Sequence, residues 1–313
     1  MLQDESSLRD AFASVPDVVK NHLRYGTFYL PAMGLHYVSI PKAACTAMKW
    51  WIAGLMGLGR DVTSRPTSAE VTEDLLIHDA LPAACPAIRP SDDSALIAAM
   101  SDPNAFRFAI VRNPYTRAFS SWMSKVVARE VPQLHAYPDF LAKEYCSTYD
   151  AGSIGRAFEE FLHRVLVGEY NTQDWKNPHW APQYLLLAPE VFSYQRIYQV
   201  EHLHLATKEL GERLANHGVT TPPVGRYNET LIPYAAAYLT PNSVRYIQTL
   251  YAQDFAEYGY APDHVPEGRP LPDVALEAIG SLLPHIRTRN QRIWDLYSEY
   301  SKAKNSTQSA RNP

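Results

Sequence analysis

Lys42 and Thr46 stand four residues apart in SIPKAACTAMKWW (residues 39–51), and Arg112, Arg117 and Ser120 cluster in IVRNPYTRAFSSW (110–122). A cationic nitrogen, the free amides of a helix start and a hydroxyl together suit a phosphate. Arg117 shares a helix face with Ser120 and Ser121, at i, i+3 and i+4. Guanidinium plus hydroxyl on one face is a grip for a second phosphate group. The nucleotide loop pattern G-x-x-x-x-G-K-S/T is absent, because no glycine lies between Pro41 and Gly54. A loop that needs no positive φ can be built from Ala and Cys, so ordinary backbone angles are expected there. Taken singly, the same letters would also suit a capped helix with an exposed lysine, or a surface helix with a polar pair.

Both stretches need a strand before them and a helix behind. GLHYVSI (34–40) and FRFAIV (106–111) are rich in β-branched and aromatic residues, a strand signal. Thr46–Leu58 places Met48, Trp51, Ile52, Leu55 and Met56 at helical spacing. Asn113-Pro114 reads as N-cap plus first helical residue of the second helix. DLLIHDAL (74–81) is expected to be a short buried strand ending at Pro82. A further strand is expected within VFSYQRIYQVEHL. Helices are expected over SALIAAM, SIGRAFEEFLHRVLV, 203–216, 241–257 and 271–302. Strands alternating with helices argue for an α/β domain with a mostly parallel central sheet flanked by helices. The expected organisation is a helical lead-in at 1–33, one domain at 34–265, C-terminal helices at 266–302 packed on it, and a disordered tail at 303–313.

With 313 residues, 46% hydrophobic and 20% charged, the chain can bury a sizeable core. A net charge of −4 gives no global basic character, so nucleic acid is not an expected partner and any anion site is local. The three cysteines, Cys45, Cys85 and Cys146, form no C-x-x-C pair. They fit a reducing compartment rather than a disulfide framework or a zinc site. No run of His, Cys or carboxylates has ligand spacing, so no metal is expected. The first twenty residues lack the apolar core of a signal peptide, and no stretch is long enough to span a bilayer. A cytoplasmic location is expected.

PK-x-x-C-T after one strand and R-N-P-x-x-R-x-x-S after another resemble the two nucleotide-binding signatures of the sulfotransferases that use 3′-phosphoadenosine 5′-phosphosulfate (PAPS). PKAACT followed by a Trp-bearing helix is similar to the carbohydrate sulfotransferases of the chondroitin 4-O- and HNK-1 type. NPHWAPQYLL (177–186), YQRIYQVEHL (194–203), YNET (227–230) and LYAQDFAEYGY (250–260) follow in that family's order. Ala47 departs from the usual Asn.

The resemblance implies a P-loop-like sulfotransferase fold and PAPS as co-substrate, without a metal. It implies a hydroxyl of a glycan or glycoconjugate as acceptor. Pro41, Lys42, Ala43, Ala44, Cys45, Thr46 and Ala47 would hold the 5′-phosphosulfate, with Lys42 on the bridging oxygen. Arg112, Arg117 and Ser120 would hold the 3′-phosphate. Sulfuryl transfer needs a base for the acceptor proton. His78 is the leading candidate, since a histidine of near-neutral pKa suits the task. His179, in the HW block, is the second. Asp79 is considered as the orienting partner of His78, and Trp175, Trp180 and Tyr184 as stacking surfaces. Glu201 is expected to anchor a helix start, and Tyr251 and Asp254 to be structural. Two other readings are a P-loop-like kinase or hydrolase, and a non-catalytic nucleotide-binding protein. The first lacks its loop and its metal-binding hydroxyl next to the lysine. The second is opposed by the retained Lys42, Thr46, Arg112, Ser120 and His78.

Overall fold

The computed structural model describes residues 5–64, 68–130, 141, 148–168, 177–227 and 229–309. Helices α1 (Glu5–Ala13) and α2 (Asp17–Gly26) open the chain. Val19, His22, Leu23 and Gly26 give α2 one buried face at i, i+3, i+4, i+7. The expected helical lead-in gives way at Thr27. TFYL forms strand β1 (Thr27–Leu30), which returns through a tight turn as β2 (Leu35–Val38). Gly34 makes that turn possible at φ 59.

From β2 the chain runs through α3 (Cys45–Leu55), α4 (Glu73–Ala84) and α5 (Asp93–Ser101) to β3 (Phe106–Val111). The segment 74–81, expected as a strand, is the body of α4. A short apolar run has no periodicity that tells strand from helix. Glu73 and Asp74 in the first turn complement the helix dipole. From β3, α6 (Pro114–Trp122) continues into a π-helical stretch, Met123–Val127. Next come α7 (Ala151–Leu166), α8 (Gln183–Leu187) and β4 (Arg196–Gln199). α9 (Leu203–Ala215), α10 (Pro241–Leu250), α11 (Ala252–Glu257) and α12 (Asp273–Ser309) complete the chain. The single helix expected at 241–257 is broken at Tyr251. α12 runs past residue 302, so residues 303–309 are helical rather than part of a disordered tail.

The sheet order is β1-β2-β3-β4, with β1–β2 antiparallel and β2–β3 and β3–β4 parallel. Its side chains alternate between two cores. Val38, Ala109 and Val111 pack with Val19, Leu23, Leu96 and Leu186 of α2, α5 and α8. Tyr37, Phe108 and Ile110 pack with Met48, Trp51, Ile77 and Leu210 of α3, α4 and α9 on the other face. A third core lies beside the sheet, where Phe119, Trp122, Phe158, Trp180 and Tyr238 meet Leu276 and Leu283 of α12.

Candidate active site

Thr27 pairs with Val38, Val38 with Ala109, and Val111 with Gln199. That register brings four pieces of chain to one edge of the sheet, in order. They are the end of α2, the 39–44 loop, Arg112–Asn113, and Val200–Leu203. A cavity of about 1560 Å³ runs along this edge.

The 39–44 loop corrects the expectation of ordinary backbone angles. Lys42 (φ 66) and Ala44 (φ 58) are both left-handed without being glycine. Each costs about 1 kcal/mol or more, and such strain persists only where the surroundings impose it. The bend leaves the start of α3 bare. Ala44 is its N-cap and supplies no side-chain acceptor. The amides of Cys45, Thr46 and Ala47 find no acceptor among the described residues. By contrast Asp92, Asn113, Asp150 and Thr240 cap α5, α6, α7 and α10. Lys42 Nζ is buried with no partner among the described residues. Burial lowers its pKa from 10.5 to about 8, against a partial rise from Glu130. Pro41, Lys42, Ala44, Cys45, Thr46 and Ala47 line the cavity. Ala43 instead packs into the core below.

His78 arrives from α4 and is held from two sides. Lys49 Nζ lies 2.5 Å from its Nδ1 and Thr46 Oγ1 lies 3.1 Å from its Nε2. An ammonium can only donate, so Nδ1 accepts and the ring proton sits on Nε2, donated to Thr46. No lone pair is left over. Burial, then Lys49 and Lys125, holds the ring well below its usual pKa. Asp79 does not orient His78; it accepts the Tyr25 hydroxyl at 2.6 Å.

His179 is held differently. Asn177 Oδ1 accepts the backbone N–H of His179 at 3.0 Å, which identifies that atom as the oxygen. Nδ1 of His179 lies 2.9 Å from the same oxygen and must therefore carry the ring proton. Nε2 keeps its lone pair, with no partner among the described residues. Burial, then Lys125 and Lys42, keeps this ring neutral with a pKa well below the usual value. The segment carrying it is clamped by consecutive carbonyls. Pro178 O and Ala181 O accept from Arg117, His179 O from Ser121, and Trp180 O from Tyr251. Asp254 accepts the amides of Gln183 and Tyr184.

Arg112 and Ser120 line the cavity. Arg112 spends Nε on Thr116 and one terminal nitrogen on Lys42 O. Arg117 does not line it. The side chain is 1% exposed, and its guanidinium donates to Pro41 O at 3.1 Å besides Pro178 O and Ala181 O. The phosphate role expected of Arg117 gives way to a positioning one, tying the lysine loop to the His179 segment. Glu201 binds the amide of Asn113, so it anchors the start of α6 rather than of its own helix. Trp180 is core, edge-on to Phe161. Tyr184 does not line the cavity, and Trp175 lies outside the described residues.

Sequence reasoning missed His22, Lys49, Glu70 and Lys125, which also line the cavity. Lys49 was readable, one turn beyond Thr46 on the same face. Lys125 was not. It lies five residues after Ser120, a spacing that an α-helix sends to different faces and a π-helical stretch brings round. It pairs with Glu130 at 3.0 Å. Glu70 keeps a buried oxygen with no partner among the described residues, and burial raises its pKa. Beyond the loops, Val200, Leu203, Val224 and Tyr227 close the β4 end of the cavity. Residues 221–227 can lie across α3 because Gly54 has no Cβ; one would stand 2.7 Å from Pro222 Cγ. Among the described residues, no group of three or more His, Cys, Asp or Glu could hold a metal ion, and no helix is long and apolar enough to cross a membrane.

A model described as "Sulfotransferase family" matches residues 25–261 of the chain. That span runs from Tyr25, at one end of the cavity, past Asp254. The chain is similar to carbohydrate sulfotransferase 10 of Danio rerio, at 23% identity over 210 residues, which cover 62% of this chain and 57% of that protein. The chain thus spans little more than half the length of this curated relative. No solved structure matches it.

Proposed function

The chain belongs to the sulfotransferase family, and from that premise we propose that it moves the sulfuryl group of PAPS to a hydroxyl of a glycan or glycoconjugate. The observation that carries the donor half is the Lys42 ammonium, buried with no partner among the described residues beside the bare start of α3. Desolvated cations with unused N–H groups are costly unless an anion completes them. Lys49, Lys125 and Arg112 line the same cavity, and a donor with several negative charges fits that surplus. The fold is taken as P-loop-like and mostly parallel, which the β2–β3 and β3–β4 pairings support.

In this reading the amides of Cys45–Ala47 and the Thr46 hydroxyl hold the 5′-phosphosulfate, and Arg112 with Ser120 the 3′-phosphate. Nε2 of His179 takes the acceptor proton, because unlike the ring of His78 it keeps a lone pair with no partner among the described residues. The acceptor oxygen bonds to sulfur as the bond from sulfur to the bridging oxygen breaks. Lys42 stabilises the negative charge that this oxygen carries away with adenosine 3′,5′-bisphosphate. His78, engaged with Lys49 and Thr46, positions the donor side. The glycan acceptor is supported by the relative's name, and the cytoplasmic placement by cysteine usage.

Calorimetry tests the donor half. Micromolar binding of adenosine 3′,5′-bisphosphate without Mg²⁺ is expected, with ATP much weaker. Preference for Mg·ATP would transfer the chain to the kinase reading, and binding of neither to the non-catalytic one.

A further inference from the structure

Tyr25 is unusual among the groups around the cavity. Its hydroxyl is fixed on Asp79 at 2.6 Å. The Arg89 guanidinium carbon stands 4.2 Å from the ring centre, and 5.3 Å from that of Phe28. Arg89 also donates to His78 O at 3.0 Å, which ties this cluster to α4. One edge and one face of the ring are thus taken, yet the residue is 55% exposed. An aromatic held rigid with one face bare is a preorganised surface and loses little entropy when covered.

The residue stands between two cavities. Tyr25 lines the main one and a second of about 940 Å³, which share His22, Tyr25 and Pro178. Asp17, Asn21 and His22 line the second, and Asp17, Asn21 and Tyr25 follow one another at four-residue spacing along α2, so polar groups continue from the ring along one helix face. Tyr25 lies at the β1 end of the sheet edge, next to the His179 segment through Pro178. Val200, Leu203, Val224 and Tyr227 lie at the β4 end among Thr207, Lys208 and Arg226, a mixed apolar and polar wall that suits the donor's nucleoside. The volume at the β1 end is then left for the acceptor.

We propose that Tyr25 is the acceptor platform, on whose open face a pyranose ring stacks by its C–H side while Asn21 and His22 meet its hydroxyls and Asp17 meets the next sugar along α2. The negative face of an aromatic ring attracts such polarised hydrogens, and the polar rim selects a polyol over a flat apolar ring. This rests on the sulfotransferase reading. The test is saturation-transfer NMR on the full chain with excess adenosine 3′,5′-bisphosphate and a panel of methyl pyranosides: galactoside, glucoside, glucuronide and N-acetylglucosaminide. At least one is expected to show transfer concentrated on one ring face. Tyr25→Ala and the bulk-preserving Tyr25→Leu should each cut that signal at least fivefold, and Tyr25→Trp should keep it. Bisphosphate affinity should stay within twofold in all three, which also verifies that they fold. The platform is overturned if no pyranoside binds, if the signal survives Tyr25→Leu, or if p-nitrophenol displaces the sugar as the better ligand. A Tyr25-dependent sugar signal in a protein that ignores bisphosphate would leave the platform standing and remove the sulfotransferase reading instead.

Discussion

His78 and His179 are distinguished by their hydrogen bonds rather than by their pKa values, since both are neutral and both lie well below the usual range. A base needs a lone pair facing the acceptor, and Asn177 leaves one on His179 while Lys49 and Thr46 use both ring nitrogens of His78. His179→Ala is therefore expected to cut PAPS turnover by roughly 10²–10⁴-fold with bisphosphate affinity little changed. His78→Ala is expected to act mainly on donor KM. Glu70→Gln should leave turnover near wild type; if it is dead while His179→Ala is active, the base is Glu70. With a depressed histidine pKa the base is already free at neutral pH, so the acid limb of kcat/KM falls below pH 6.5. Lys42 and Lys49, each lowered to about 8, lose their protons above that pH, so donor binding weakens on the alkaline side. An activity still rising at pH 9 would contradict the role given to Lys42. Most of these groups were legible, because Lys42, Thr46, Arg112, Ser120 and His179 stand in short stretches dense in chemistry. The choice between the histidines was not, since it depends on Asn177 and Lys49 meeting them in space.

Elements explain why Arg117 misled. On the sequence it lies on one helix face with Ser120, as a phosphate ligand would. In the fold, α6 sits between the lysine loop and the 177–184 segment, and Arg117 is the residue that reaches both. Which neighbour a helix face meets depends on where distant chain returns, and spacing along one helix does not contain that. The same limit applies to α4, whose apolar run suited a strand equally well, and to the π-helical stretch that turns Lys125 inward. The parallel strands and their following helices were readable because period-two and helical patterns change over at Pro41 and at Asn113-Pro114. β1 was not, because four residues between a helix and a turn carry too little pattern. Arg117→Lys keeps the charge but not the fork that serves three carbonyls. It is expected to cost roughly 2–4 kcal/mol of stability, measured by denaturant unfolding, and to lower turnover through a displaced His179. A variant of normal stability that merely binds bisphosphate more weakly would return Arg117 to the role of phosphate ligand.

At the scale of the whole molecule, an anion site of this kind is a stability cost that the fold carries. The protein is acidic overall, with a net charge of −4, yet it concentrates Lys42, Lys49, Lys125 and Arg112 around one cavity. Lys42 and Lys49 have native pKa values near 8 against 10.5 unfolded, so between those limits the unfolded chain binds more protons than the native one. Unfolding free energy then rises with pH across that window, and the cost is fully present at pH 7, where both lysines are charged in both states. The buried histidines add only a small slope of the same sign near pH 7, since their ordinary pKa of about 6.5 lies just below it. The ligand-free protein is thus expected to melt at a higher temperature at pH 9 than at pH 7. Stabilisation by adenosine 3′,5′-bisphosphate should shrink over the same interval. Lys42→Met removes a desolvated charge, so at pH 7 it should raise the ligand-free Tm by roughly 2–4 °C, flatten its rise toward pH 9 and abolish the bisphosphate shift. Thermal melts of both proteins at the two pH values, with and without bisphosphate, measure all three effects. A Lys42→Met protein that melts lower than wild type at pH 7 would show that the ammonium supports the ligand-free fold, and the anion site would then have to be sought elsewhere along the sheet edge.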